Sequence, residues 1–187
     1  NKKLLFKIGG FGIKEEQFSG PSGVYLKNRI LYVCDSGNNR VQAFRIQNPP
    51  QFLMSFGGKG KETGKFFKPS DLVHFQNNIY VADSGNRRVQ VFDDSGNFLY
   101  QFGEEELELP RKILINQNRI YIADENKGLF LFDEENKTLK LVKPLNEDVQ
   151  KPVVAVNYDQ NGLLYVADFL TNKMSVFARD KMKLTSL

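Results

Sequence analysis

Ile79-Tyr80-Val81-Ala82-Asp83-Ser84-Gly85-Asn86-Arg87-Arg88-Val89-Gln90-Val91-Phe92 decides the fold. Its counterpart stands 48 residues earlier as Leu31-Tyr32-Val33-Cys34-Asp35-Ser36-Gly37-Asn38-Asn39-Arg40-Val41-Gln42-Ala43-Phe44. The tetrad inside it, Tyr-Val/Ile-Cys/Ala-Asp, closes four times, at Asp35, Asp83, Asp124 and Asp168, with spacings of 48, 41 and 44 residues. A proline precedes each tetrad (Pro21, Pro69, Pro110, Pro152), and a phenylalanine follows each aspartate (Phe44, Phe92, Phe132, Phe177). Self-similarity at this period is the mark of a repeat architecture.

Each unit divides into four short runs rich in β-branched and aromatic residues, separated by Gly, Asn, Asp and Ser, which is the pattern of strands and turns. First strands are expected near Val24–Lys27, Leu72–Phe75, Ile113–Asn116 and Val153–Asn157, and the second are the tetrads themselves. Third strands fall at Val41–Phe44, Val89–Phe92, Leu129–Phe132 and Met174–Phe177; fourth strands fall at Phe52–Phe56, Phe98–Phe102 and Leu139–Val142. Asp94-Ser95-Gly96-Asn97 supplies a hairpin turn, with Gly96 free to take positive φ. No stretch sustains a 3.6 period, so helices are expected to be few. Four strands per 41–48 residues is the spacing of a propeller blade. The expected fold is therefore all-β, a β-propeller of four-stranded antiparallel blades, in units 11–57, 58–103, 104–143 and 144–187. Residues 1–10 read as the outer strand of a preceding blade, and Met182–Leu187 as the outer strand of the last.

With Asp, Asn three residues on, Arg five on and Val-Gln after it, the chain resembles the NHL-repeat family of β-propellers. Asp35, Asn38, Arg40 and Asp83, Asn86, Arg88 meet that pattern in full, and Phe56-Gly57-Gly58 and Phe102-Gly103 fit the blade ends. The third unit, Asp124-Glu125-Asn126-Lys127-Gly128-Leu129, is a residue short and lacks the Asn and Arg; the fourth has Thr171 and Lys173 at those places. The resemblance implies a ring of six blades, of which about four are present. A fragment of a longer propeller, an arc completed by another chain and a small ring all fit that count. The first is favoured, because an arc exposes apolar faces and sheet edges.

Composition sets outer bounds. The 187 residues are 41% hydrophobic, with 16 Phe and no Trp, a globular profile that needs no disulfide. Cys34 is the one cysteine and cannot bridge internally. There is no apolar run long enough to span a membrane, so no membrane insertion is expected. The first residue is Asn1, so the lack of a visible leader says little. A net charge of +4 permits an anionic partner without requiring one. The resemblance leans towards a bacterial cell-envelope or secreted setting.

The recurring Asp35, Asp83, Asp124 and Asp168, with Asn38, Asn86, Arg40 and Arg88, are read as the structural signature: carboxylates that cap the loop after their strand. Arg87 differs, because Asn39 stands in its place in the first unit. It is a candidate for partner contact, as are Lys59, Lys61, Lys65 and Lys68 on the loop Gly57–Lys68, opposed only by Glu62. A solvated, glycine-loosened loop is the plainer reading of that charge run. His74, the single histidine, lies where other units have Leu26 and Ile115, so it reads as a packed strand residue. One histidine cannot supply a multi-histidine zinc site, and nothing places a serine beside it for a triad. Cys34 takes the place of Ala82, Ala123 and Ala167 and reads as a small buried residue. The expected function is a non-catalytic binding or scaffold module holding a protein, peptide or polymer on one loop face, with no cofactor and no metal. The alternatives are an RNA-binding basic face and a metal-dependent lactonase or lyase.

Overall fold

A computed structural model describes residues 4–116, 118–143, 153–161, 163–168, 173–177 and 183–184. The repeat unit becomes a sheet. β1 (Pro21–Lys27), β2 (Ile30–Asp35), β3 (Arg40–Arg45) and β4 (Gln51–Gly57) pair antiparallel in chain order. β5 (Asp71–Phe75), β6 (Asn78–Asp83), β7 (Arg88–Asp93) and β8 (Phe98–Phe102) do the same. So do β9 (Pro110–Asn116), β10 (Arg119–Asp124), β11 (Gly128–Asp133) and β12 (Thr138–Lys143). β13 (Val153–Tyr158), β14 (Leu164–Asp168) and β15 (Lys173–Phe177) form a three-stranded sheet. Among the described residues, helix is confined to two 3-10 turns, Ser36–Asn38 and Ser84–Asn86. The strands expected from sequence stand where they were read, most within a residue; β1 and β9 begin three residues earlier, at Pro21 and Pro110.

The two ends of the chain depart from expectation. Residues 4–10 carry no regular secondary structure. The segment expected as the outer strand of the last blade instead places β16 (Lys183–Leu184) on the third sheet, where Leu184 and Lys183 pair with Val142 and Lys143. The outer edge of β12 offers the free backbone groups that make this pairing favourable.

Alternate residues of each strand point to opposite faces, and both faces are apolar, so each sheet must be covered on two sides. Tyr32, Cys34, Val41 and Ala43 of the first blade meet Leu72, Ile79, Val81 and Phe92 of the second in one core. The opposite face of the second blade, Tyr80, Ala82, Val89 and Val91, meets Ile113, Ile122, Phe130 and Phe132 of the third. Tyr121, Leu129 and Leu131 meet Val156, Leu164 and Val166 of the fourth. Each such side chain contributes about 1.5–3 kcal/mol by leaving water, so the junctions hold the blades in place. β1 touches β5, β5 touches β9 and β9 touches β13, which makes these the inner strands. They line a groove of about 310 Å³ that includes Val24, Asp71, Lys112 and Val156.

Chain order puts the β2–β3 turn and the loop leading into each blade at one end of the sheets. The β1–β2 and β3–β4 hairpins lie at the other. The lead loops, residues 9–20, 58–70 and 103–109, and the two 3-10 turns therefore share one face.

Candidate binding face

The lead loop is where the repeat spends its polar residues. Asp83 is fully buried at the end of β6. One of its oxygens accepts the Phe67 amide at 2.8 Å; the other accepts Asn86 Nδ2 at 2.8 Å, Arg88 Nε at 2.9 Å and Gln90 Nε2 at 2.9 Å. Those three side chains then reach on to the loop. Asn86 donates to the Gly60 carbonyl, Arg88 to the Glu62 and Lys65 carbonyls, and Gln90 to the Lys65 carbonyl, while Gln90 Oε1 accepts the Gly64 amide.

The first blade repeats this bond for bond. Asp35 accepts the Ser19 amide, Asn38, Arg40 Nε and, at 3.4 Å, Gln42. Asn38 donates to Gly12, Arg40 to Lys14 and Gln17, and Gln42 to Gln17, with the Glu16 amide on Gln42 Oε1. Every partner is displaced by the 48 residues of the repeat. The expected signature residues are thus the frame of the loop. Gln42 and Gln90, both fully buried, belong to it as well; their recurrence after Val41 and Val89 was the visible signal.

The third blade solves the same problem without Asn or Arg. Asp124 accepts the Glu108 and Leu109 amides on one oxygen and the Asn126 and Lys127 amides on the other, all within 2.9 Å. The turn shortened by one residue brings its own backbone donors to the carboxylate. Asp168 ends β14, paired in register with Lys173 as Asp83 is with Arg88; its side chain lies outside the described residues.

The lysines ride on this frame. Lys59, Lys61, Lys65 and Lys68 are all exposed. Lys59 is bridged to Phe66, the Lys65 ammonium donates to the Gly57 carbonyl at 2.9 Å, and the Lys68 ammonium lies 5.7 Å over the Phe67 ring. The Lys68 amide bonds Asn39 Oδ1 of the preceding blade at 2.9 Å. The plainer expectation of a loosened loop is therefore corrected: its carbonyls and amides are held by buried side chains. Arg87 occupies the Asn39 position one blade on and also reaches forward, its Nε donating to the Leu107 carbonyl at 3.3 Å. Its left-handed φ of 60° matches the 57° of Asn39. Arg87 thus faces the next lead loop, which carries Glu104, Glu105, Glu106 and Glu108. Lys127, with Arg87 adding to it, holds the Glu108 carboxyl below its usual range. The face has a basic loop beside an acidic one.

Two other clusters are candidates. His74 is buried in β5; its Nε2 meets Asp94, and its Nδ1 lies 2.8 Å from the Lys27 ammonium. An ammonium can only donate and a carboxylate only accept, so the neutral ring carries its proton on Nε2. Sequence reading found the packing of His74 but not these partners, which come from the end of β1 and the β7–β8 turn. On the inner strands, buried Asp71 accepts the Ile113 amide at 2.9 Å and pairs with Lys112 at 3.2 Å. Burial raises the Asp71 carboxyl, with Lys112 and the Ile113 amide opposing. Burial also pushes the Cys34 thiol up, with Asp71 adding to it, the opposite of what a nucleophile needs. Among the described residues, no three His, Cys, Asp or Glu side chains are grouped to hold a metal ion.

Comparison with known proteins agrees with this architecture. Residues 18–44 and 68–92 match the NHL repeat; they span the first three strands of the first two blades and include Asp35, Asn38, Arg40 and Asp83, Asn86, Arg88. Comparison with curated proteins gives no match. By structure the chain is similar to virginiamycin B lyase from Staphylococcus aureus (TM-score 0.68, 9% identity, 90% of this chain and 56% of that one). It is also similar to a chain of a nidogen/laminin complex (TM-score 0.64, 18% identity, 93% and 65%) and to the computationally designed Ika4 protein (TM-score 0.66, 12% identity, 93% and 98%). The chain thus spans little more than half of the lyase. At these identities the likeness concerns the fold. No helix among the described residues is long and apolar enough to cross a membrane. The chain carries NHL repeats at 18–44 and 68–92, on four-stranded sheets that are the blades of a β-propeller.

Proposed function

We propose that the chain is a non-catalytic binding module whose partner, a protein or peptide, docks on the face made by the lead loops and 3-10 turns. The observation that carries this is the doubled aspartate network. It holds loop carbonyls and amides internally and leaves Lys59, Lys61, Lys65 and Lys68 exposed on a fixed frame, so docking orders little new chain. A partner bearing an acidic and a basic patch side by side fits the lysine loop and the Glu104–Glu108 loop together.

RNA is the second reading, and the four lysines favour it. The adjoining glutamates interrupt any track a phosphate backbone would follow. Titration with single-stranded RNA at 50 and 200 mM salt separates the two: a phosphate-led complex weakens steeply with salt. The binding module is tested by exchanging Lys59, Lys61, Lys65 and Lys68 for Glu together. The expected result is loss of partner capture with the fold intact by circular dichroism. Lactone or ester turnover that disappears on substituting Asp71 or Lys112 in the inner groove would overturn the proposal in favour of an enzyme related in function to the lyase.

A further inference from the structure

The first two lead loops share one backbone and differ in the side chains it holds up. In the first, the Phe18 amide bonds the Gly10 carbonyl at 2.8 Å, the Gly12 amide the Phe18 carbonyl at 3.0 Å and the Gln17 amide the Lys14 carbonyl at 3.2 Å. In the second, the Phe66 amide bonds Gly58 at 2.8 Å, the Gly60 amide Phe66 at 3.0 Å and the Lys65 amide Glu62 at 3.1 Å. Phe11 bridges Phe18 as Lys59 bridges Phe66. The 48-residue offset therefore sets Phe11 at the position of Lys59 and Ile13 at that of Lys61.

Phe11 and Ile13 are 90% and 79% exposed. A lone exposed apolar side chain calls for no partner. These two stand together on a loop whose carbonyls and amides are bonded to Asn38, Arg40 and Gln42, so the loop cannot turn them inward. Their exposure follows from the loop itself. Lys59 and Lys61 are exposed at the same positions of the second loop, which lies between two complete four-stranded blades. The positions thus face solvent whatever precedes the first blade. One turn ties the loops together: Asn38 donates to the Gly12 carbonyl at 2.9 Å, while Asn39 accepts the Gly58 amide at 2.8 Å and the Lys68 amide at 2.9 Å.

We infer that Phe11 and Ile13 are the apolar anchors of the binding face, and that the partner is a peptide segment setting apolar side chains on them and carboxylates on Lys59 and Lys61. This rests on the binding face proposed above. Taken in chain order the three lead loops run apolar, basic and acidic, so a segment laid across them in that order reads apolar, acidic, basic. Burial of the apolar pair supplies the drive, and an aromatic anchor ringed by polar groups carries a large share of an interface's affinity. The lysines supply register and select against basic segments. An anionic lipid surface is the poorer fit, because Glu104, Glu105, Glu106 and Glu108 share the face and repel its headgroups.

Selection of a phage-displayed library of random dodecapeptides on the immobilised chain tests this. The enriched peptides should carry apolar residues beside Asp or Glu. Their affinity should fall at least about tenfold on Phe11→Ser/Ile13→Ser and again on Lys59→Glu/Lys61→Glu, with far-UV circular dichroism unchanged. Phe11→Leu/Ile13→Val, which keeps the apolar surface, should retain most of the affinity. Peptides that weaken only in the lysine variant leave the binding face standing and overturn the anchors. Peptides that weaken only in the apolar variant and carry no acidic residue overturn the partner chemistry. Peptides indifferent to both variants overturn the anchors and the face together. A selection that enriches nothing overturns the inference, and so does binding of phosphatidylcholine/phosphatidylserine vesicles through Phe11 and Ile13 in its place, which would assign them to a lipid surface.

Discussion

Replacing Asp83 with Ala removes the acceptor on which one lead loop is hung, and the cost can be worked from its partners. Four donors lose their acceptor: the Phe67 amide, Asn86, Arg88 and Gln90. The Arg88 guanidinium is the expensive one, because it is buried and its other close partners are neutral: two loop carbonyls and Gln101. Glu104, at 3.8 Å and largely exposed, compensates little. Breaking a buried pair by removing one member costs about 3–5 kcal/mol, a large share of the 5–15 kcal/mol typical of a domain. With a urea dependence of about 2–3 kcal/mol/M, the midpoint should fall by about 1–2.5 M. The chain has no Trp, so far-UV circular dichroism is the suitable probe. Asp35→Ala should cost less, about 1–3 kcal/mol, because Arg40 is partly exposed and water can solvate it. The double variant Asp83→Ala/Arg88→Met should recover at least about 1 kcal/mol of the single loss, since the stranded charge goes with the arginine. A loss below about 1 kcal/mol for Asp83→Ala, or additive losses in the double variant, would refute the reasoning.

Three further outcomes follow from the same geometry. Cys34 should react with a thiol reagent only as fast as the chain unfolds, because it is fully buried and its thiol is raised; rapid labelling of the folded chain would contradict its place in the junction. Burial raises the Asp71 carboxyl above 3.8, so the native chain holds that proton to a higher pH than the unfolded chain does. The contribution of Asp71 to stability is therefore greatest in acid and declines as pH rises through the native value. Asp71→Asn should accordingly gain stability relative to the parent at pH 7 and lose that gain below pH 4, by urea titration at the two pH values. Phe92→Ala, at the centre of the junction between the first two blades, should cost about 3–5 kcal/mol, read from the same curves.

The strands and the signature aspartates were legible because they depend on local spacing: a period of two within a strand, and a fixed distance from proline to tetrad to phenylalanine. Cys34 and His74 were correctly read as packed residues for the same reason, since their repeat counterparts are Ala82, Leu26 and Ile115. What the lead loops do was not legible. Arg88 and Gln90 bond residues 23 to 26 positions away, and a run of Lys and Gly with no periodicity gives no hint that its carbonyls are occupied. Lys27, His74 and Asp94 meet across two blades from positions 20 and 47 residues apart, a juxtaposition that only stacking creates. The pairing of Lys183–Leu184 with β12 was missed because order along the chain suggested the nearest blade, whereas an open edge accepts whichever strand reaches it.

Rigidity of the lead loops underlies the proposed binding face, and hydrogen exchange at their amides measures it directly. The amides of Ser19 and Phe67, bonded to Asp35 and Asp83, and those of Phe18 and Phe66, bonded to Gly10 and Gly58, should exchange as slowly as amides in β2 and β6. Exchange of these four at the rate of an unstructured chain, with β2 and β6 still protected, would mean that the lysines ride on a loose loop and that no preformed face exists.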